Sequence, residues 1–212
     1  MSKRKLRVLL LFEVEGPPAT HEELEKHMET DEAWFTEGHV LDALKENGHE
    51  VHLGAIYKNP REVIELVEKI QPDLVWNCVE TFHGNRYYES NIAAVLELLR
   101  VPYTGCSPRG LMICQDKALS KKIMKHHRVN VPPFVVSRQN RPVRKLRETP
   151  FPVLVKPLAE EGSVGISKES FAENEEQALK RAAFVHERMK QDAIIEQYIE
   201  GREIYVGVLG DT

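Results

Sequence analysis

The run Leu6-Arg-Val-Leu-Leu-Leu-Phe12 narrows the fold more than any other part of the chain. From Val8 onward it has no polar side to turn toward water. A strand made of it must be buried on both faces, as in a parallel sheet held between two helix layers. The chain beyond Phe12 fits that setting. Pro17 and Pro18 break the chain, and from Thr20 a polar, acidic segment leads to Trp34. Trp34, His39, Val40, Leu41, Ala43 and Leu44 then recur at helical spacing as far as Asn47, with Gly48 as the stop. Residues 50–56 read as a second strand. Pro60 opens a helix through Val63, Leu66, Val67 and Ile70 that Gln71-Pro72 ends, and residues 73–77 read as a third strand. Strand, helix, strand, helix, strand predicts an α/β, doubly wound parallel sheet with right-handed crossovers.

In such sheets ligands bind beyond the carboxyl ends of the strands. That rule selects residues 13–16 and residues 78–89. The second stretch holds Glu80, His83, Asn85, Arg86, Tyr87 and Glu89, groups able to grip a small polar ligand, although a solvated loop reads the same way. Residues 89–99 read as a helix and residues 101–105 as a short final strand and turn. Residues 107–125 hold two helical pieces with Ser107 and Asp116 as N-caps. After the break at Val129-Asn-Val-Pro-Pro133 come a strand at 134–137 and a basic connector, Arg138 to Arg147, which reads as a solvated linker because it lacks interleaved aromatics. Further strands are expected at 150–157, 164–167, 192–197 and 203–209, with a helix over 174–189.

A net charge of -4 and a sequence pI near 6.2 give no broad electrostatic pull toward nucleic acid. Cys78, Cys106 and Cys114 form an odd set without a C-x-x-C pair, which suggests reduced thiols rather than a disulfide framework or a zinc site. The apolar run after the basic residues 1–7 is too short for a signal-peptide core or a membrane span, so a cytoplasmic protein is expected.

The second half of the chain carries the chemistry. In Pro150-Phe-Pro-Val-Leu-Val-Lys-Pro157 an apolar strand ends in a lysine, and it opens into a loop containing Gly162-Ser-Val-Gly165. Lysine offers a compact charge, and glycines let backbone N–H groups approach phosphate oxygens. A snorkelling surface lysine beside a hairpin would have the same sequence.

Three stretches together resemble the ATP-grasp superfamily, specifically its D-alanine:D-alanine ligase-like group. They are Val101-Pro-Tyr-Thr-Gly105 with Asp116-Lys117; Phe151-Pro-Val-Leu-Val-Lys-Pro157 with Gly162-Ser-Val-Gly165; and Ile195-Glu-Gln-Tyr-Ile-Glu-Gly-Arg-Glu203 with residues 206–210. The resemblance implies a pre-ATP-grasp domain at 1–112, a first ATP-grasp subdomain at 113–194 and the start of a second at 195–212. It implies ATP held by Lys117 and Lys156, and a lid of Gly162, Ser163, Val164 and Gly165 over the terminal phosphate. The segment Glu196-Gln197-Tyr198-Ile199 would lie along adenine, with the Gln197 carbonyl and the Ile199 N–H meeting its edge, and Glu203 would lie on the ribose. Without the family pattern Glu196 and Glu203 read as solvent-facing strand carboxylates.

The reaction implied is ATP-dependent carboxylate–amine ligation through an acyl phosphate, with magnesium and lysine charge as the source of catalysis. Ser163, His83 and Glu89 are the expected catalytic residues. Amino acids or small carboxylates and amines are the expected substrates, nucleic acid and membrane are not expected partners, and a homodimer stays open. The family's opening Gly-Gly-x-Ser-x-Glu is replaced by Leu11-Phe-Glu-Val-Glu-Gly16, and its Gly-Glu-Asp-Gly by Arg86-Tyr-Tyr-Glu-Ser90, which leaves the amino-acid specificity open. The family's magnesium ligands, an Asp and a Glu-x-Asn group, would come after Thr212; Glu89-Ser-Asn91 has the tripeptide but sits in the first domain. The expectation is therefore a fragment of a ligase of roughly 300 residues, lacking turnover by itself. A non-catalytic ATP-binding module, or a ligase or carboxylase of another ATP-grasp branch, remains open at this level.

Overall fold

The computed structural model describes residues 4–17, 20–147, 149–160, 162–208 and 210 of the 212-residue chain. Pro18, Glu161 and Leu209, the last residue of the strand expected at 203–209, lie outside them. The chain divides into two units, Met1–Gln115 and Asp116–Thr212.

In the first unit, β1 (Arg7–Glu13) is the middle strand of a parallel sheet, with β2 (Glu50–Ile56) on one side and β3 (Leu74–Asn77) on the other. Val8 pairs with Val51 in one direction and with Leu74 in the other. The all-apolar β1 feeds two cores because successive side chains leave opposite faces. Leu9 and Leu11 pack with Val63 and Val67 of α3 (Arg61–Ile70) and with Ile92 and Leu96 of α4 (Glu89–Leu98). Leu10 and Phe12 pack with Leu24 and Met28 of α1 (His21–Thr30) and with Leu41 of α2 (Phe35–Glu46). Each of these four β1 side chains is at most 1% exposed, and at about 1.5–3 kcal/mol per buried side chain β1 is a large contributor to the cohesion of the unit. The arrangement is the doubly wound α/β layer expected.

Two details differ from the sequence reading. The acidic segment after Thr20 is the helix α1, started by a reciprocal cap. Thr20 Oγ1 accepts from the Glu23 N–H at 3.3 Å, and the Thr20 N–H donates to Glu23 Oε2 at 2.9 Å. Its apolar stripe is sparse, so periodicity hides it. The short strand expected at 101–105 is a single parallel bridge, Val75 with Tyr103, made by the Val75 N–H to Pro102 O and the Thr104 N–H to Val75 O. Pro102 has no N–H to extend a ladder. The unit closes with α5 (Pro108–Gln115).

The second unit is an antiparallel sheet in the order β4-β7-β5-β6, from β4 (Phe134–Ser137), β7 (Ala193–Gln197), β5 (Val153–Pro157) and β6 (Phe171–Ala172). One face packs on α7 (Glu175–Arg188). The small Ala178 and Ala182, with Val185, lie against Val153, Val155 and Ile195 there. The other face meets α6 (Lys117–His126), with Ala118 against Leu158 and Ile194. Asp116 starts α6 by accepting the Ala118 and Leu119 N–H groups at 2.9 Å.

The strand expected at 164–167 is not formed. Gly162, Ser163 and Gly165 have φ of 56°, 63° and 72°, which coil the chain into turns, and the edge of β5 not paired with β7 is taken by Phe171–Ala172 instead. Residues 203–208 of the strand expected at 203–209 are likewise not a strand. They are exposed and no described strand pairs with them, and a strand exists only within a ladder.

Candidate functional site

In the second unit the register of β5 and β7 sets the geometry. Lys156 pairs with Ile194 and Leu154 with Glu196, so Lys156 and Glu196 project from the same face, the one that packs on α6. Lys156 Nζ lies 2.7 Å from Glu196 Oε1, and Lys121 Nζ, from α6, lies 2.8 Å from Oε2. The Glu196 side chain is only 7% exposed. Burial alone would raise its carboxyl, but the lysines Lys121 and Lys156, through hydrogen bonding and charge, outweigh it and hold the group below the usual carboxylate range. Lys121 Nζ is close to Oε2 but poorly aligned with it, so of the two lysine contacts this one is the weaker hydrogen bond. Two ammonium groups against one carboxylate leave this spot with surplus positive charge.

Lys117 stands at the first position of α6, one helical turn before Lys121. Its Nζ donates to the Leu158 carbonyl at 3.3 Å and also to the Glu160 carbonyl, both just after β5. Sequence reasoning named Lys117 and Lys156 but missed Lys121. The signal was the i, i+4 spacing from Lys117 on a helix whose N-cap was recognised.

The glycine loop is held at its far end. The Gly165 carbonyl accepts from Arg181 Nη2 at 2.7 Å, and a Cβ on Gly165 would come within 2.5 Å of the Met189 side chain. Gly162, Ser163 and Val164 are exposed, and the Ser163 carbonyl accepts the Ile166 N–H at 3.0 Å. Along the end of β7, the Gln197 N–H donates to Pro133 O and the Tyr198 N–H to Pro152 O, both at 2.9 Å. The Tyr198 ring meets Phe171 edge-on at 5.1 Å, and Ile199 is 60% exposed. Glu203 lies in the exposed stretch after it and is not part of a strand.

In the first unit a cleft of about 1400 Å³ opens at the carboxyl ends of β1 and β3. Glu13, the last residue of β1, ties its rim. Its Oε1 accepts the His83 N–H at 2.7 Å, and its Oε2 accepts the Thr81 hydroxyl. His83 and Gly84 take left-handed conformations, φ 55° and 64°, which turn the loop back so that the His83 ring reaches the Lys58 carbonyl, 2.9 Å from Nε2. Glu89 begins α4 and is fixed by Gln115, a 3% exposed side chain whose Nε2 donates to Glu89 Oε2 at 2.9 Å and to the Arg86 carbonyl at 2.7 Å. Both His83 and Glu89 line the cleft. Neither the Glu13 clamp nor Gln115 was legible in sequence, since each joins positions far apart along the chain.

Two further lining groups carry shifted acidities. Burial pushes the Glu37 carboxyl up, with the Glu80 charge adding to it, and one Glu37 oxygen is buried without a hydrogen-bond partner. Burial, with the charges of Glu37 and Glu80, pushes the Cys78 thiol up to about 12. Among the described residues no three His, Cys, Asp or Glu side chains are grouped to hold a metal ion, and no helix is long and apolar enough to cross a membrane.

Comparison with known proteins agrees with this architecture. Residues 123–212 match the family model for the D-ala D-ala ligase C-terminus. An uncharacterised protein of Sinorhizobium fredii is 34% identical over 180 residues, covering 81% of this chain and 51% of the relative. A D-alanine--D-alanine ligase of Clostridium botulinum is 29% identical over 174 residues, covering 81% and 54%. Among solved structures, the D-alanine--D-alanine ligase of Bacillus anthracis complexed with ATP superposes with a TM-score of 0.63 at 20% identity, over 92% of this chain and 60% of that one. The two-unit architecture is thus that of an ATP-grasp protein carrying the layer that precedes the grasp. Residues 123–212 match the ligase family model, and the chain as a whole is similar to the D-alanine:D-alanine ligase-like group of the ATP-grasp superfamily. It spans about half the length of the curated relatives that it matches.

Proposed function

We propose that this chain carries the nucleotide-binding face and the substrate cleft of an ATP-dependent carboxylate–amine ligase. The observation that carries the reading is the buried Glu196 carboxylate held between Lys156 and Lys121 on the α6-facing side of the sheet. Its surplus positive charge suits a phosphate chain. Lys156 and Lys117 would hold the phosphates, with Glu196 aiming the Lys156 ammonium and Lys121 adding a further positive charge beside it. Gly162 to Gly165 would cover the terminal phosphate, with the Ser163 hydroxyl as a donor. The residues Gln197, Tyr198 and Ile199 would lie along the base, and Glu203, in the exposed segment that follows, would take the ribose hydroxyls.

In the reaction of this class a substrate carboxylate takes the γ-phosphoryl group of ATP and the resulting acyl phosphate gives an amide with an amine, while magnesium neutralises the phosphates. In the first unit, His83 and Glu89 would orient an amino acid or small carboxylate within the cleft. A cytoplasmic setting belongs to the same reading.

The test is nucleotide binding by calorimetry with ATP and magnesium. Lys156→Ala is expected to weaken ATP by about 10–100-fold, the loss of one or two charge-assisted hydrogen bonds. An unchanged affinity would return Lys156 to a structural ion pair and remove the nucleotide from this face. A phosphate-release screen with pairs of amino acids, D-alanine included, then reads the substrate.

A further inference from the structure

The basic connector between β4 and β5 reads in sequence as a solvated linker, yet it is anchored. Its Leu146 N–H donates to Glu175 Oε2 at 2.6 Å, its Val143 N–H donates to Ser137 Oγ at 3.1 Å, and the Leu146 side chain packs against the α7-side core. So fixed, it walls a groove of about 630 Å³, within the range of small-molecule sites. The floor is apolar: Pro132 and Pro133 lead into Phe134 and Val136 of β4, which rest on the core beneath α6. The rim is cationic. Lys122 and Lys125 come from α6, and Lys145 and Arg147 from the connector.

Three cations elsewhere in this unit meet a carboxylate at ion-pair distance, Arg138 with Asp192 at 2.9 Å, and Lys121 and Lys156 with Glu196. None of the four rim cations meets a carboxylate at ion-pair distance among the described residues, and no described lining residue is acidic. Four cations with no ion-pair partner among the described residues, set around an apolar floor, are electrostatically and sterically complementary to one kind of occupant.

We propose that this groove binds a small amphipathic anion, an apolar body bearing a phosphate or carboxylate group. The body lies on Phe134, Val136 and the two prolines, and the anion meets the lysines and Arg147. The groove shares no lining residue with Lys117, Lys156, Glu196 or the glycine loop, so the inference stands apart from the nucleotide reading. It also adjoins that face: Phe134, in the floor, lies opposite Glu196 in the β4–β7 ladder, and the Pro133 carbonyl accepts the Gln197 N–H.

The test titrates the chain with phenyl phosphate, phenylacetate, inorganic phosphate and benzyl alcohol, following the backbone amides of Val135 and Val136 by NMR. Saturable shifts are expected with phenyl phosphate or phenylacetate, and the tighter of the two assigns the anionic group. Inorganic phosphate and benzyl alcohol are each expected to bind at least about tenfold more weakly, because each lacks half of the complementarity. The double variant Lys125→Glu, Arg147→Glu, at two exposed positions, is expected to lower the affinity by about tenfold or more, and salt is expected to weaken wild-type binding. Absence of saturable shifts with both aromatic anions, equal binding of inorganic phosphate, an unaffected double variant, or displacement of the probe by ATP with magnesium would each overturn the proposal.

Discussion

In Met1–Gln115 the polar groups of interest stand on loops that leave the sheet, whereas in Asp116–Thr212 the central ones project from the sheet and its covering helix. The loop-borne set is held by one long-range clamp, Glu13 to Thr81 and His83, and one buried amide, Gln115. The sheet-borne set is held by strand register, which fixes Lys156 beside Glu196 wherever the ladder forms. The first kind of site can change shape when its loop is re-tied. The second is as rigid as the fold, and damage to it is damage to the fold. The two also carry opposite burdens of charge. Glu37 is a half-buried carboxylate whose acidity is weakened, while Glu196 is a buried carboxylate whose acidity is strengthened by its lysines.

The largest expected effect is at Glu196. Glu196→Ala leaves Lys156 and Lys121 confronting each other without their counter-charge. Denaturant unfolding should show a loss of about 3 kcal/mol in the second unit, in keeping with breaking a buried ion pair. A loss below about 1 kcal/mol would mean that the sheet-borne set is no more tied to the fold than a loop. Next, Gly165→Ala forces a Cβ into Met189 at a left-handed position and should cost about 1–3 kcal/mol by the same measurement. In the first unit, Glu13→Ala should leave global unfolding within about 2 kcal/mol of wild type yet raise hydrogen exchange at the His83 amide by about tenfold, because only the loop's tether is lost. If global stability falls as far as in Glu196→Ala, the contrast between the units fails.

Acid should separate the units further. The folded-state acidity of Glu196 is lowered, so its stabilisation is complete above the ordinary carboxylate value of 4.5 and is lost as the pH falls through its depressed folded value. For Glu37 the folded value is raised, so its charge costs stability at neutral pH and that cost is relieved as the pH falls through the raised value toward 4.5. Hydrogen exchange resolved by unit between pH 7 and pH 4 should show the first unit relieved before the second is weakened, and Glu37→Gln should abolish the first response. The smallest effect expected is chemical. At pH 8 Cys78 should alkylate more slowly than the exposed Cys106 and Cys114, since its thiol is pushed up to about 12. Equal rates for all three would place Cys78 in a wetter cleft than its surroundings indicate.

Much of this molecule could be read along the chain. The β1 run, the helix stripe of α3, the Asp116 cap and the strand ending in Lys156 all rest on interactions within a few residues, and local periodicity reports those directly. The α1 helix went unread because its signal is a cap rather than a stripe. The turns at 162–165 displaced an expected strand because left-handed backbone there overrides the apolar Val164 and Ile166.

The sequence alone determined that β1 would be buried on both faces, that strands and helices would alternate in the first unit, and that a lysine would close an apolar strand before a glycine loop. Tertiary structure alone decided that Lys121 rather than Lys117 would meet Glu196, that Glu13 would hold His83, that Gln115 would fix Glu89, and that four cations would ring one groove. The physical reason is range. Backbone preference and side-chain periodicity act over a turn or a strand, while a buried charge finds its partner by strand register and helix packing between residues that the sequence holds far apart.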